Sequence, residues 1–256
     1  MKYLVYFSAL FLLSCNTSHK QESNENWIPL FNGTDLNDWI IKINHRDLND
    51  NYNNTFIVRD NMLVVNYAEY DSIDDDFGHI YFNKPFSNYK LRVEYRFTGE
   101  QVPGGAGWAY RNNGVMFHCQ DPATILKDQP FPVSVEAQLL GGDEEGERST
   151  GNVCTPGTHI EIDGKLITEH CITSSSKTYR GDQWVNFELV VYGDSIIHHI
   201  VEGDTVITYS KPQIGGGDLP EGFPLPQGFA LTEGYIALQA ESHPTEFRKI
   251  ELLELP

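Results

Sequence analysis

The chain alternates apolar and polar residues far more than it repeats them at helical spacing. Residues 89–97 alternate without a break, with Tyr89, Leu91, Val93, Tyr95 and Phe97 set between charged positions. That is the pattern of a strand with one buried face. Val185, Phe187, Leu189 and Val191 interleave with Asn186, Glu188 and Val190 in the same manner. Three pairs of such runs flank tight-turn dipeptides and predict hairpins: Asp60-Asn61, Asp163-Gly164 and Gly203-Asp204. Further strands are expected at residues 79–82, 235–241 and 247–255. No long stretch holds a capped 3.6-residue period. One short helix is expected at residues 122–127, where Asp121-Pro122 forms a cap. Many short strands separated by turn signals predict an all-β chain folded as a two-sheet antiparallel β-sandwich.

Two segments break the pattern. Residues 98–111 carry four glycines, Trp108 and Tyr110, and residues 211–234 are rich in Gly and Pro around Phe223, Leu225 and Phe229. Loops of such length are functional or disordered. Their apolar side chains favour packed walls, such as those of a cleft on a sheet face.

The N-terminus reads as targeting. Lys2 precedes an apolar run from Tyr3 to Leu13 that is too short to span a bilayer. Residues 1–14 are read as a lipoprotein signal. Leu12-Leu13-Ser14-Cys15 resembles a bacterial lipobox, with Cys15 as the lipidated residue. Residues 15–26 follow as a polar tether, and 27–256 as one domain. The expected location is the bacterial cell envelope, with the membrane engaged through the lipid alone. A net charge of −18 argues against a nucleic-acid partner and against a polyanionic substrate. In an oxidising envelope, Cys154 and Cys171 are placed to close the predicted 159–170 hairpin as a disulfide, leaving Cys119 as a free buried thiol.

The candidate chemistry lies mid-chain. In the run Val133 to Leu140 the odd positions are apolar, so Glu136 and Gln138 share the opposite face. That face meets either water or a cleft. His118 ends another apolar run and, by alternation, shares a face with Met116 and Gly114. A histidine there is either a packed core residue or a proton carrier. Gln239 and Glu241 alternate onto one face, and Arg111 is placed to bind a carboxylate or an oxyanion. Arg248 is open to the same role or to an ion pair with Glu136 or Glu241. The acidic run Asp71, Asp74, Asp75 and Asp76 lacks EF-hand spacing and reads as a solvated loop. No Gly-x-Ser-x-Gly elbow, His-Glu-x-x-His pair or Cys-x-x-Cys site occurs. No cofactor is evident, and a divalent cation stays open.

Six pieces, in order, carry a family resemblance. They are Leu30-Phe31-Asn32-Gly33 with Leu36 and Trp39, Asn113 to His118, Glu136-Ala137-Gln138-Leu139, Trp184-Val185-Asn186, Gly234 to Gln239, and Glu246 to Ile250. Together they resemble the 3-keto-disaccharide hydrolase domain, a concanavalin-like jelly roll of bacterial secreted proteins and lipoproteins. The resemblance implies cleavage of the glycosidic bond of 3-keto glycosides or disaccharides. His118, Glu136 and His243 would be the catalytic candidates. Gln138, Arg111, Asn113, Gln239, Glu241 and Trp108 would contact a carbohydrate. The 136–141 strand offers only one carboxylate, which argues against a retaining pair on that strand. Proton abstraction at C2, acidic beside the C3 ketone, followed by elimination at C1, needs only one base. The alternative is a non-catalytic carbohydrate-binding lipoprotein.

Overall fold

The computed structural model describes residues 25–217 and 219–256. The signal segment 1–14, Cys15 and the tether up to residue 24 lie outside the described residues. Two antiparallel sheets face each other, as the alternation predicts.

The larger sheet is built around Asn88–Phe97, the chain's most regular alternator. Its odd residues are buried and its even ones half-exposed. It pairs with Val185–Tyr192 on one side and Thr245–Glu254 on the other. The full order, edge to edge, is Lys165–Ile167, Thr158–Ile162, Asp204–Ile214, Ile196–Val201, Val185–Tyr192, Asn88–Phe97, Thr245–Glu254, Met62–Val65 and Phe56–Arg59. The short Ile28–Pro29 strand adds to Thr245–Glu254. Polar side chains on its outer face pair across strands: Arg92 with Glu188 at 2.8 Å and Arg96 with Glu246 at 2.6 Å. Arg248 pairs with Glu94 on this outer face, not with Glu136 or Glu241. These partly exposed pairs add little stability each, but they fix register where the apolar face alone would leave the other side unspecified.

The smaller sheet runs Cys171–Ile172, Asn152–Cys154, Val135–Leu140, Asn112–Cys119, Tyr235–Ala240, Gly78–Phe82 and Trp39–Ile43. Val115, Phe117, Val135, Ala137, Leu139, Ile80 and Leu238 turn inward and join the main core with Leu91, Val93 and Leu189 from the other sheet. The outer face of the smaller sheet is therefore free for other groups.

The hairpin turns follow their chemistry, with one shift. Asp60-Asn61 and Asp163-Gly164 occupy the two turn positions, all four residues with positive φ, as a type I′ turn requires. In the third hairpin Val201 pairs with Asp204. The turn is thus Glu202-Gly203, one residue earlier than expected, because glycine takes the second positive-φ position at φ 89°. The expected 122–127 helix is a single 3₁₀ turn, Pro122–Thr124, with the Asp121 carboxylate accepting from the Ala123 amide at 2.9 Å. The 211–234 loop begins later than expected, since Asp204–Ile214 continues as strand.

Residues 155–170 leave the smaller sheet, add a hairpin to the edge of the larger one, and return. Cys154 and Cys171, paired in register on adjacent strands, are disulfide-bonded across the base of this excursion. Cys119 is free and buried. A cross-link spanning 17 positions removes denatured-state entropy worth about 3 kcal/mol in the chain-entropy model. Cys171→Ser should therefore lower the unfolding free energy by about that amount in urea titration. An unchanged midpoint would show that the excursion is held by other contacts.

Candidate active site

A row of outward side chains crosses six strands of the smaller sheet in register: Lys42, His79, Gln239, Gly114, Gln138 and Asn152. The adjacent row brings Met116, Glu136 and Cys154 together. Glycine at 114 leaves a gap in the first row, and Glu136 fills it. A Cβ there would lie 2.6 Å from both Glu136 Oε1 and Gln239 Oε1. The carboxylate and the amide therefore meet over a residue with no side chain.

Above this floor lies a cleft of about 880 Å³. Glu136, Gln138, Asn112 and Cys154, on strands of the sheet, line it, as does Glu241, one residue beyond the Tyr235–Ala240 strand. Trp108 from the 98–111 loop and Pro220 and Glu221 from the 211–234 loop form parts of the wall. Much of the rest comes from residues 126–132, a segment the sequence pattern does not mark.

Among the residues lining the cleft, Glu136 Oε1, Glu241 Oε2 and Asn112 Oδ1 are buried without a protein partner; so are both amide atoms of Gln239, which does not itself line the cleft. Buried polar atoms are normally satisfied, so a cluster of such atoms in a cleft marks where a hydroxyl-rich ligand would be held. Gln138 is already engaged, accepting from Asn152 Nδ2 at 3.1 Å.

The electrostatics point the same way. Burial, then the neighbouring Glu241 charge, pushes Glu136 well above the usual carboxylate range, while the Gln239 amide pulls it back slightly. Burial also raises Glu241, and Arg148 opposes that rise. Both carboxyls are therefore biased toward the protonated form near neutrality, and Arg148 makes Glu241 the more readily ionised of the two. Arg148 had no sequence signal. It lies in an irregular segment, and its guanidinium donates to the carbonyls of Trp108, Tyr110 and Gly141. It thereby fixes the 98–111 loop against the sheet while placing a positive charge near Glu241.

The other expected residues separate into distinct places. His118 is not in the cleft. Between Tyr235 and Ala237 the partner strand spends an extra residue, and His118 takes a positive φ of 49°. This bulge breaks the alternation that would have put His118 beside Gly114. Its Nε2–H donates to the Gly193 carbonyl at 3.1 Å, and burial lowers its pKa to about 4. Asn113 is structural: its Nδ2 donates to the Gln239 carbonyl at 2.7 Å, and its Oδ1 accepts from the Gly114 amide. Arg111 donates to the Gly181 carbonyl and to Asp182, away from the cleft surface. His243 is buried under the 98–111 loop, edge-on to Tyr110 at 5.1 Å. Burial, then the Arg111 charge, lowers its pKa to about 4. Of the acidic run, Asp76 pairs with Arg46. Among the described residues no group of three or more His, Cys, Asp or Glu side chains is arranged to hold a metal ion.

Residues 26–253 match the model of the 3-keto-alpha-glucoside-1,2-lyase-like domain. The chain belongs to that family. Two solved structures from Parabacteroides distasonis ATCC 8503, each provisionally named a glycosyl hydrolase, share the fold of this lyase-like domain. One is 21% identical with a TM-score of 0.53, covering 90% of this chain and 99% of the other. The second is 19% identical with a TM-score of 0.56, covering 90% and 94%. No curated protein matches the chain. Membership places the lyase-like domain among carbohydrate-active β-sandwiches, and all six sequence pieces that carry the resemblance fall within the matched span.

The carboxyl pair makes a stability prediction. Both pKa values are raised above the ordinary 4.5, so the folded state holds protons that the unfolded state releases. This contribution is full below 4.5 and is lost as pH rises through the raised values. Glu136→Gln and Glu241→Gln should each flatten the fall of unfolding free energy above that point. Parallel slopes for variants and parent in urea titrations across pH would contradict the pairing.

Proposed function

We propose that the lyase-like domain cleaves the glycosidic bond of 3-keto glycosides by elimination, using Glu136 and Glu241 as acid and base. The observation that carries this reading is the presence of two desolvated carboxyls lining one cleft. A module that only binds sugar gains from polar side chains but has no use for carboxyls shifted toward neutrality in a dry site, and this argues for an enzyme. Elimination uses a base and an acid on two adjacent atoms of one sugar, and Glu136 and Glu241 both line the cleft. The second carboxylate comes from a different strand, so the one-acid reading of residues 136–141 understates the site.

The pair divides the labour. Arg148 favours the ionised form of Glu241, which acts as base on the C2 proton. The C–H electrons enter an enolate with the C3 carbonyl. When the carbonyl re-forms, the C1–C2 double bond forms and the C1–O bond breaks. Glu136, protonated, gives its proton to the departing oxygen. The products are a 1,2-unsaturated 3-keto sugar and the free aglycone. Water adding at C1 afterwards completes a net hydrolysis. Gln138 and Asn112 hold hydroxyls of the sugar. In the cell the domain would work at the envelope, tethered through Cys15.

Steady-state kinetics on a 3-keto glucoside test this assignment. Glu241→Gln should lower turnover by about 10²–10⁴ for every leaving group. Glu136→Gln should do so for alkyl leaving groups and recover when the aglycone is a nitrophenol, which needs no acid. Gln138→Ala should chiefly raise KM, by the equivalent of about 1 kcal/mol. The unoxidised glucoside should be inert; equal turnover of it would exclude elimination. Tight binding of both sugars without turnover of either would favour the carbohydrate-binding alternative.

A further inference from the structure

The cleft lining has two chemistries. One is the carboxylate floor already described. The other is an apolar wall of Trp108, Leu126, Pro130, Phe131 and Pro132. Trp108 and Leu126 are 53% and 51% exposed, and both line this cleft. Scattered exposed apolar residues are ordinary; a contiguous apolar wall next to a reactive floor is not.

The aromatic part of the wall is held in place. Phe131 stacks on Phe77 with ring centres 5.3 Å apart and 27° between planes, and meets His79 edge-on at 5.9 Å. Phe77 in turn packs against Trp108 at 5.9 Å. The Trp108 carbonyl accepts from Arg148 at 3.1 Å and from Asn112 Nδ2 at 3.3 Å. The indole therefore projects from a fixed backbone, and the loop is tied to a strand of the cleft floor. Rigid aromatic surface of this kind costs little entropy on binding. The polar side chains bordering the wall are Asp128, Gln129 and Glu221, two of them acidic. A second sugar would need many hydrogen-bond partners along this wall, and an anionic group would face acids.

Resting on the reaction assigned above, we propose that this apolar wall is an aglycone subsite for an uncharged aromatic group. The preferred substrates are then aryl or arylalkyl 3-keto glycosides rather than 3-keto disaccharides. The sugar sits over Glu136, Gln138 and Glu241, and the aglycone ring lies against Trp108 and Phe131 with Leu126 on its edge.

Benzyl and methyl 3-keto glucosides separate this subsite from the chemistry, because their leaving alcohols are similarly poor. The benzyl compound should show a KM lower by roughly tenfold to a hundredfold, the effect of burying one phenyl ring. It should also exceed a 3-keto disaccharide in kcat/KM. Trp108→Ala and Leu126→Ala should each shrink the benzyl-to-methyl ratio several-fold. Calorimetry with the unoxidised benzyl and methyl glucosides reads the same preference without any turnover. Turnover of all three 3-keto substrates with no benzyl preference, or with the disaccharide preferred, would overturn the subsite and leave the elimination reading standing. No turnover of any substrate, with benzyl glucoside still bound more tightly than methyl, would overturn the reaction and keep the subsite. Equal binding of the two glucosides would overturn the subsite in either case.

Discussion

A side chain at residue 114 would collide with Glu136 and Gln239, and the arrangement of the cleft follows from its absence. Gly114 lets the Glu136 carboxyl lean from one register row into the next, where the amide of Gln239 meets it. That move takes the carboxyl out of water. Desolvation then raises both Glu136 and Glu241, and the Glu241 charge raises Glu136 further, which is what turns two ordinary glutamates into groups able to hold and lend a proton near neutrality. The glycine is therefore a condition for the chemistry without taking part in it.

The rest of the sandwich keeps that floor rigid. The core face of the smaller sheet packs on the regular alternators of the larger one, so its outer face cannot slip register without exposing Val115, Val135 and Leu238. Asn113 locks the strand from beneath by bonding across to the Gln239 carbonyl. Arg148 clamps the 98–111 loop by bonding the carbonyls of Trp108 and Tyr110 together with that of Gly141 beside the Val135–Leu140 strand. The disulfide ties down the far edge of the cleft. Floor, roof and edge are thus each held by a separate set of interactions, while Glu136, Glu241 and Asn112 each present an unpartnered polar atom among the residues that line the cleft.

Alternation made much of this readable in advance. The outward pair Glu136 and Gln138, the co-facial Gln239 and Glu241, and the space above Gly114 all come from a period of two. His118 failed for a physical reason: a bulge inserts one residue and reverses the face of the residues beyond it, and no residue type in Phe117-His118-Cys119 announces it. The meeting of Glu136 with Glu241 was hidden because it depends on which strands are neighbours, which pattern along the chain does not encode. Arg148 was invisible for the same reason, compounded by its place in an irregular segment. Asn112 was within reach, being two residues from Gly114 on the same strand face, but the motif resemblance begins at Asn113, whose role is internal.

The proton that the pair removes is the most direct handle on the chemistry. A 3-keto glucoside carrying deuterium at C2 should lose that label to solvent in step with aglycone release, with a primary isotope effect on turnover. Glu241→Gln should abolish both the exchange and the release. Product that retains deuterium at C2 while the glycosidic bond is cleaved at the normal rate would show that the bond breaks by direct displacement at C1, and would contradict the role assigned to the carboxylate pair.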